Sequence, residues 1–232
     1  MKQLFVLFLL IAAIRSVSGA DGNAVLEIKN AITKLSEKPN YSWISTPKSE
    51  GASANLQLGS TEGKTEKNGF TYFRLTVGQN TVEAAFKGAK SAIKTENDWE
   101  PSQALQGDRA WVARRLTAFK APVAEAEDLL AKVQGLRKEI GNVYAGDLSQ
   151  SGVKELLSMR TRDGQNSMPT GAKGWAKFWV RDNMLVRYQY NVQGKLMGQN
   201  QQESDINRTT TVEIKDVGST TVQLPDEAKK KL

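Results

Sequence analysis

A two-residue hydrophobic period, broken at short intervals by turn residues, fills two long stretches of this chain and limits its fold more than any other feature. In the first stretch Tyr41, Trp43 and Ser45 alternate with Ser42, Ile44 and Thr46. Further on, Phe73, Leu75 and Val77 oppose Arg74 and Thr76, and Val82, Ala84 and Phe86 oppose Glu83, Ala85 and Lys87. Successive side chains of a strand point to opposite faces, so each run reads as a strand with one apolar face. The pattern predicts strands near 40–46, 55–67, 70–77, 80–87 and 90–95. Asn68-Gly69 and Gly78-Gln79-Asn80 are hairpin signals. Both central positions of the Asn68-Gly69 turn tolerate positive φ, which predicts antiparallel pairing of the strands on either side.

The second stretch sets Trp175, Lys177 and Trp179 against Ala176, Phe178 and Val180. It continues with Val186, Tyr188, Tyr190 and Val192 against Leu185, Arg187, Gln189 and Asn191. Strands are predicted at 174–182, 184–194 and 200–217, with Asp182-Asn183 and Gln193-Gly194 as turns.

Helical spacing appears elsewhere. Val25, Ile28, Ile32 and Leu35 define a first amphipathic helix, with Asp21 or Asn23 as caps and Lys38-Pro39 as its stop. Val112, Leu116 and Phe119 mark a second stripe. Val123, Ala126, Leu130 and Val133 mark a third, which begins just after Pro122 at a first-turn position. Residues 136–147 read as a further strand, 150–158 as a short helix and 160–174 as a polar loop. Pro225 opens a terminal helix with Asp226 and Glu227 first and Lys229 to Lys231 last, the order that complements the helix dipole.

Helix, consecutive strands, helices and more strands is not the alternation that builds a parallel sheet. The expected fold is α+β: a strongly curved antiparallel sheet, in effect a half-open β-barrel, with helices packed on its concave face and an apolar space between the layers. It is expected to occupy residues 21–232 as one domain.

Residues 1–20 are predicted to be a secretory signal peptide. Lys2 supplies a basic start, Leu4 to Ile14 an apolar run, and Ser18-Gly19-Ala20 small residues at a cleavage site. Eleven residues make roughly 16 Å of helix, too short for a ~30 Å hydrocarbon core. Loss of Lys2 and Arg15 takes the basic residues from 32 to 30 against 25 acids, leaving +5. The product is expected to be exported, most simply to a periplasm, with transient contact to an anionic membrane surface. The cations are scattered, without the basic stripe and interleaved aromatics of a nucleic-acid binder, so no nucleic-acid partner is expected.

Neither histidine nor cysteine occurs among the 232 residues. That removes disulfides, thiolate catalysis, cysteine-ligated zinc, histidine triads and a lipid anchor on a thiol. The run Gly59-Ser60-Thr61-Glu62-Gly63-Lys64-Thr65 has three residues between its glycines where a phosphate loop needs four, and it lies in a strand pattern. Asn40-Tyr41-Ser42 and Asn207-Arg208-Thr209 match only the short glycosylation triplet. No carboxylate pair is singled out for hydrolysis. No enzyme activity, cofactor or metal is expected. The side chains expected to line a hydrophobic cavity are Trp43, Phe73, Phe86, Phe178, Val180, Tyr188 and Tyr190.

The segments Lys177-Phe178-Trp179-Val180-Arg181-Asp182 and Leu185-Val186-Arg187-Tyr188 resemble the C-terminal half of the periplasmic lipoprotein-carrier superfamily, the LolA and LppX-like group. So does the ending from Thr209 to Gly218 with Val222-Gln223-Leu224-Pro225 and Glu227-Ala228-Lys229. The resemblance implies a half-open antiparallel barrel with a helical lid over an apolar cavity, and a lipid, an acyl chain or a lipoprotein as ligand. The arginine-proline segment of the carrier proper is not found around residues 40–60, and no functional residue is carried over from it. The expected function is an exported, soluble binder of a lipid or acylated ligand. A protein-interaction or sensor module using the outer sheet face is the alternative, and a carboxylate-based hydrolase a third reading.

Overall fold

Turn chemistry decides where the strands of this protein end. Asp182 and Asn183 both adopt positive φ, 52° and 58°, the conformation of a two-residue hairpin turn that matches strand twist. Asn68 does the same at 57° in the turn between the second and third strands. The computed structural model describes residues 20–51, 59–77, 79–96, 98–107, 113, 116–157, 169–197 and 202–232. The leader expected over residues 1–20 lies outside these but for Ala20, as do Val112, Gly78 and the first part of the strand expected from residue 55.

Among the described residues, β1 (Asn40–Ser49), β2 (Ser60–Glu66), β3 (Thr71–Val77), β4 (Asn80–Lys87), β5 (Lys90–Lys94) and β6 (Trp99–Pro101) form one antiparallel meander. A second comprises β7 (Val133–Lys138), β8 (Val143–Leu148), β9 (Thr170–Arg181), β10 (Met184–Met197) and β11 (Glu203–Lys215). Pairing of β1 with β11 joins them into one sheet of eleven strands, in the order β6-β5-β4-β3-β2-β1-β11-β10-β9-β8-β7. The edge strands β6 and β7 do not pair with each other, so the antiparallel sheet stays open.

That order puts consecutive β6 and β7 at opposite edges. The chain between them must therefore cross the sheet, and it does so over the inner face, carrying Leu116, Phe119 and α2 (Pro122–Ala131). Pro122 sits at the first position of α2, where its missing N–H is not needed. On the same face lie α1 (Ala20–Ser36) and α3 (Gln150–Leu157). Ile28, Ala31, Ile32 and Leu35 of α1 pack with Phe178, Leu185, Tyr188 and Val192 in the main core. The outer face of β4 to β6 has its own small cluster of Ala85, Ala92 and Trp99, covered by Leu224 and by Ala228 of α4 (Asp226–Lys229). The terminal helix thus packs on the face opposite the other three.

Several expectations are corrected. Residues 136–147 are a hairpin rather than one strand. Gly141 and Asn142, at φ 77° and 57°, turn β7 back into β8, and β7 begins at Val133, which the helical pattern claimed. Gln193-Gly194 is no turn: β10 runs through it to Met197 with a register shift between Gln193 and Lys195. A second shift, between Leu185 and Arg187, turns Leu185 to the core side, where it is wholly buried, and leaves Val186 half-buried. A bulge breaks strict alternation in just this way. β9 starts at Thr170 rather than 174. Val25 is 40% exposed, and Ala24 takes its place in the buried stripe of α1.

Candidate functional site

The inner face of β1 to β4 carries a cluster of four aromatic rings. Trp43 of β1 lies opposite Gly63 of β2 and occupies the space a side chain there would need. A Cβ on Gly63 would stand 2.2 Å from the indole carbons Cε2 and Cζ2. The indole N–H reaches toward Thr65 Oγ1 at 3.3 Å. Phe73 of β3 and Phe86 of β4 follow across the sheet. Phe119, from the crossing segment, descends onto them with ring centroids 4.8 Å from Phe73, 4.9 Å from Phe86 and 6.0 Å from Trp43. Offset and tilted contacts at these distances add about 0.5–1.5 kcal/mol each beyond burial.

Beside this cluster the layers part. A cavity of about 680 Å³ lies between the sheet and the crossing segment, with Trp43, Phe73, Leu75, Val82 and Val212 on the sheet side, Leu116, Phe119 and Pro122 opposite, and Leu156 of α3 at its side. The volume falls in the range of small-molecule sites.

One end of the cavity is polar. Glu125 of α2 projects into it and accepts hydrogen bonds from Tyr188, a short contact, and from Tyr190 at 3.1 Å. Burial pushes the Glu125 carboxyl above its ordinary range against the opposing pull of the two hydroxyls. Both tyrosines are raised in turn, first by burial and then by the adjacent carboxyl. Asp128, one turn further along α2, meets Lys132 at 2.8 Å and Lys120 at 3.0 Å, and Lys132 also meets Glu155 of α3 at 3.2 Å. Burial pushes Asp128 up, but the two lysines outweigh it and hold the carboxyl below its ordinary value. Among the described residues, Lys120, Asp128, Lys132 and Glu155 thus form one ion network at this end of the cavity.

The seven side chains expected to line a cavity separate into distinct places. Trp43 and Phe73 line it. Phe86 stacks behind Phe73 with centroids 5.5 Å apart. Phe178, fully buried, and Val180 belong to the core beneath α1, away from the cavity lining. Tyr188 and Tyr190 are buried and reach the cavity only through Glu125. Sequence reasoning missed Phe119, Leu116 and Glu125 as lining residues. Phe119 and Leu116 were visible in a helical stripe, but a stripe does not tell which side chains face a cavity; nothing marked Glu125. Among the described residues no group of three or more acids is placed to hold a metal ion.

No protein-family model matches the chain, and no curated protein matches it. Among solved structures, the fold is similar to the lipoprotein LppX of Mycobacterium tuberculosis, with 13% identity over 88% of this chain and 99% of that one and a TM-score of 0.46. It is similar to LprF of Mycobacterium bovis at 11% identity over 90% and 99% of the two chains, again with a TM-score of 0.46. A LolA superfamily protein of Nitrosomonas europaea is similar at 9% identity over 89% and 96%, with a TM-score of 0.34. The open antiparallel sheet with helices on its inner face is the architecture that the resemblance in the last third of the sequence implied. Among the described residues no helix is long and apolar enough to cross a membrane.

Proposed function

We propose that this protein is an exported, non-enzymatic carrier that holds a lipid or an acylated ligand in the space between its sheet and the crossing segment. The observation that carries this reading is the cavity of about 680 Å³, lined mostly by aromatic and aliphatic side chains with a cluster of polar groups among them. Burying roughly 300 Å² of hydrocarbon at ~25 cal/mol per Å² yields about 7.5 kcal/mol before the costs of association.

Native mass spectrometry of protein purified under mild conditions, followed by lipid extraction, tests the proposal. A co-purifying lipid is expected, and its occupancy is expected to fall in Val82→Trp, which places an indole in the cavity. A mass that is ligand-free throughout, from protein able to take up no added lipid, overturns it. A stable protein partner in place of lipid would favour the interaction-module reading, for which half-buried Trp175 and Trp179 on the outer face of β9 are the natural anchors.

A further inference from the structure

Strand register lays out the cavity floor as one continuous row. Val82 of β4 stands opposite Leu75 of β3, Leu75 opposite Thr61 of β2, Thr61 opposite Ser45 of β1, and Ser45 opposite Val212 of β11. All five line the cavity. The next position is Tyr188 of β10, opposite Val212, and the Tyr188 hydroxyl donates to Glu125. The floor is therefore apolar at its β4 end and reaches the polar groups of α2 at the other. Two residues along each strand, Phe73, Gly63 and Trp43 form a second row beside the first. There the Trp43 indole fills the space over Gly63 and, with Phe73, walls the trough on that side.

The row sets a length. Neighbouring strands lie about 4.8 Å apart, so the four spacings from Val82 to Val212 span about 19 Å. A volume of about 680 Å³ spread over that length has a mean cross-section of about 36 Å². A methylene group takes up about as much room as a water molecule, ~30 Å³. It advances an extended chain by about 1.3 Å, the projection of a ~1.5 Å carbon–carbon bond. One such chain has a cross-section of roughly 23 Å², and two side by side need roughly 46 Å². About 15 carbons cover the row. They occupy about 450 Å³ and leave about 230 Å³ for a head group, whereas two chains of that length need about 900 Å³.

Resting on the carrier reading above, we infer that the cavity takes one acyl chain at a time, laid across the strands from Val212 to Val82 with its head group at the Glu125 end. The ligand class is a single-chain amphiphile, and the row of five side chains measures its length. A second chain finds no room, and carbons beyond the row gain nothing from burial.

The test reads affinity by displacement of a fluorescent hydrophobic dye from the purified protein, with every probe below its aggregation threshold. Palmitoyl-lysophosphatidylcholine is compared with dioctanoylphosphatidylcholine, which divides the same number of chain carbons between two chains under the same head group. The corresponding phosphoglycerol pair separates chain number from head-group charge. The single-chain member is expected to bind at least tenfold more tightly in both pairs. Across lysophosphatidylcholines from lauroyl to arachidoyl, affinity is expected to rise about fourfold per methylene and to level off near about 15 carbons. Val82→Trp, which covers the last position of the row, is expected to lower that limit by one strand spacing, about four carbons. Two-chain probes that bind as tightly as single-chain ones overturn the inference. So does an affinity that climbs undiminished from palmitoyl to arachidoyl, or a limit left unmoved in Val82→Trp that still unfolds cooperatively. If the variant does not fold, the comparison of one chain with two in the unaltered protein decides. Binding of no probe in either head-group form, in contrast, removes the carrier reading on which the inference rests.

Discussion

The two halves of the sheet present the same alternating pattern and are treated differently by the rest of the chain. Over β7 to β10, α1 and α3 press directly on the inner face. Phe178, Leu185, Tyr188, Val192, Leu136 and Val153 are almost wholly buried against Ile28, Ile32 and Leu35. Over β1 to β4 the described cover is the crossing segment with the edge of α3, and Leu75, Val82, Phe86 and Phe119 remain only partly buried around the cavity. An apolar strand face therefore states which side is inner but not whether that side is filled. Filling depends on which helix happens to lie above it.

The sharpest way to break this comparison is to truncate one large side chain in each half. Phe178→Ala is expected to cost about 3–5 kcal/mol in denaturant unfolding, because it empties a packed site. Leu75→Ala, whose neighbour on one side is already empty space, is expected to cost about 2 kcal/mol or less. Equal losses would mean that the cavity is filled in solution and that the two halves are alike.

Next in size is Gly63→Ala. Its Cβ has no room beside the Trp43 indole, so the ring must move. Overpacking of this kind costs about 1–3 kcal/mol. A shift in tryptophan emission together with weaker uptake of a hydrophobic probe is expected; an unchanged spectrum and melting temperature would place Trp43 elsewhere.

A smaller effect separates the two kinds of acid at the cavity. Glu125 is raised in the folded protein, so its contribution to stability is full below its unfolded value of 4.5 and is lost as pH rises through the folded one. Asp128 is lowered, so its contribution is present above its unfolded value of 3.8 and is lost as pH falls. Relative to the unaltered protein, Glu125→Gln is expected to gain stability as pH climbs above 4.5, and Asp128→Asn to gain it as pH falls below 3.8, so the two respond at opposite ends of a range from about 2 to about 8. For a chain of this size each kcal/mol moves the melting temperature by about 2–4 °C. Parallel melting curves across that range would contradict the assigned directions.

The smallest expected effect is at the rim. Lys120 is about half exposed, so Lys120→Ala should change stability by no more than about 1 kcal/mol, and less in high salt. A larger loss would mean that the rim network helps to hold the crossing segment over the cavity.

Much of the fold was legible because strand faces and hairpin turns are local. The limits of β4 follow from alternation and from Gly78-Gln79-Asn80, and the β9–β10 turn from Asp182-Asn183. The misreadings came from places where backbone geometry outweighs side-chain period. The bulge beside Leu185 exchanged the faces of Leu185 and Val186, and the tight Gly141-Asn142 turn divided a stretch whose residue pattern looks continuous. The β6 strand, only Trp99–Pro101, is too short to carry a period. The candidate site was half legible: Trp43 and Phe73 lie on an apolar strand face, whereas Glu125 is an ordinary acid on a helix until Tyr188 and Tyr190, more than sixty positions away, are brought beneath it.

By itself, then, the sequence determined an antiparallel sheet accompanied by helices, because periodicity and turn residues act over a few positions. It also excluded histidine and cysteine chemistry outright. Only the tertiary structure decided where the sheet is filled and where it is hollow. Strand order sends the chain from β6 at one edge to β7 at the other, and that crossing covers β1 to β4 without packing down onto all of it. Packing over such distances depends on the summed shapes of segments far apart in the chain, which no local pattern records.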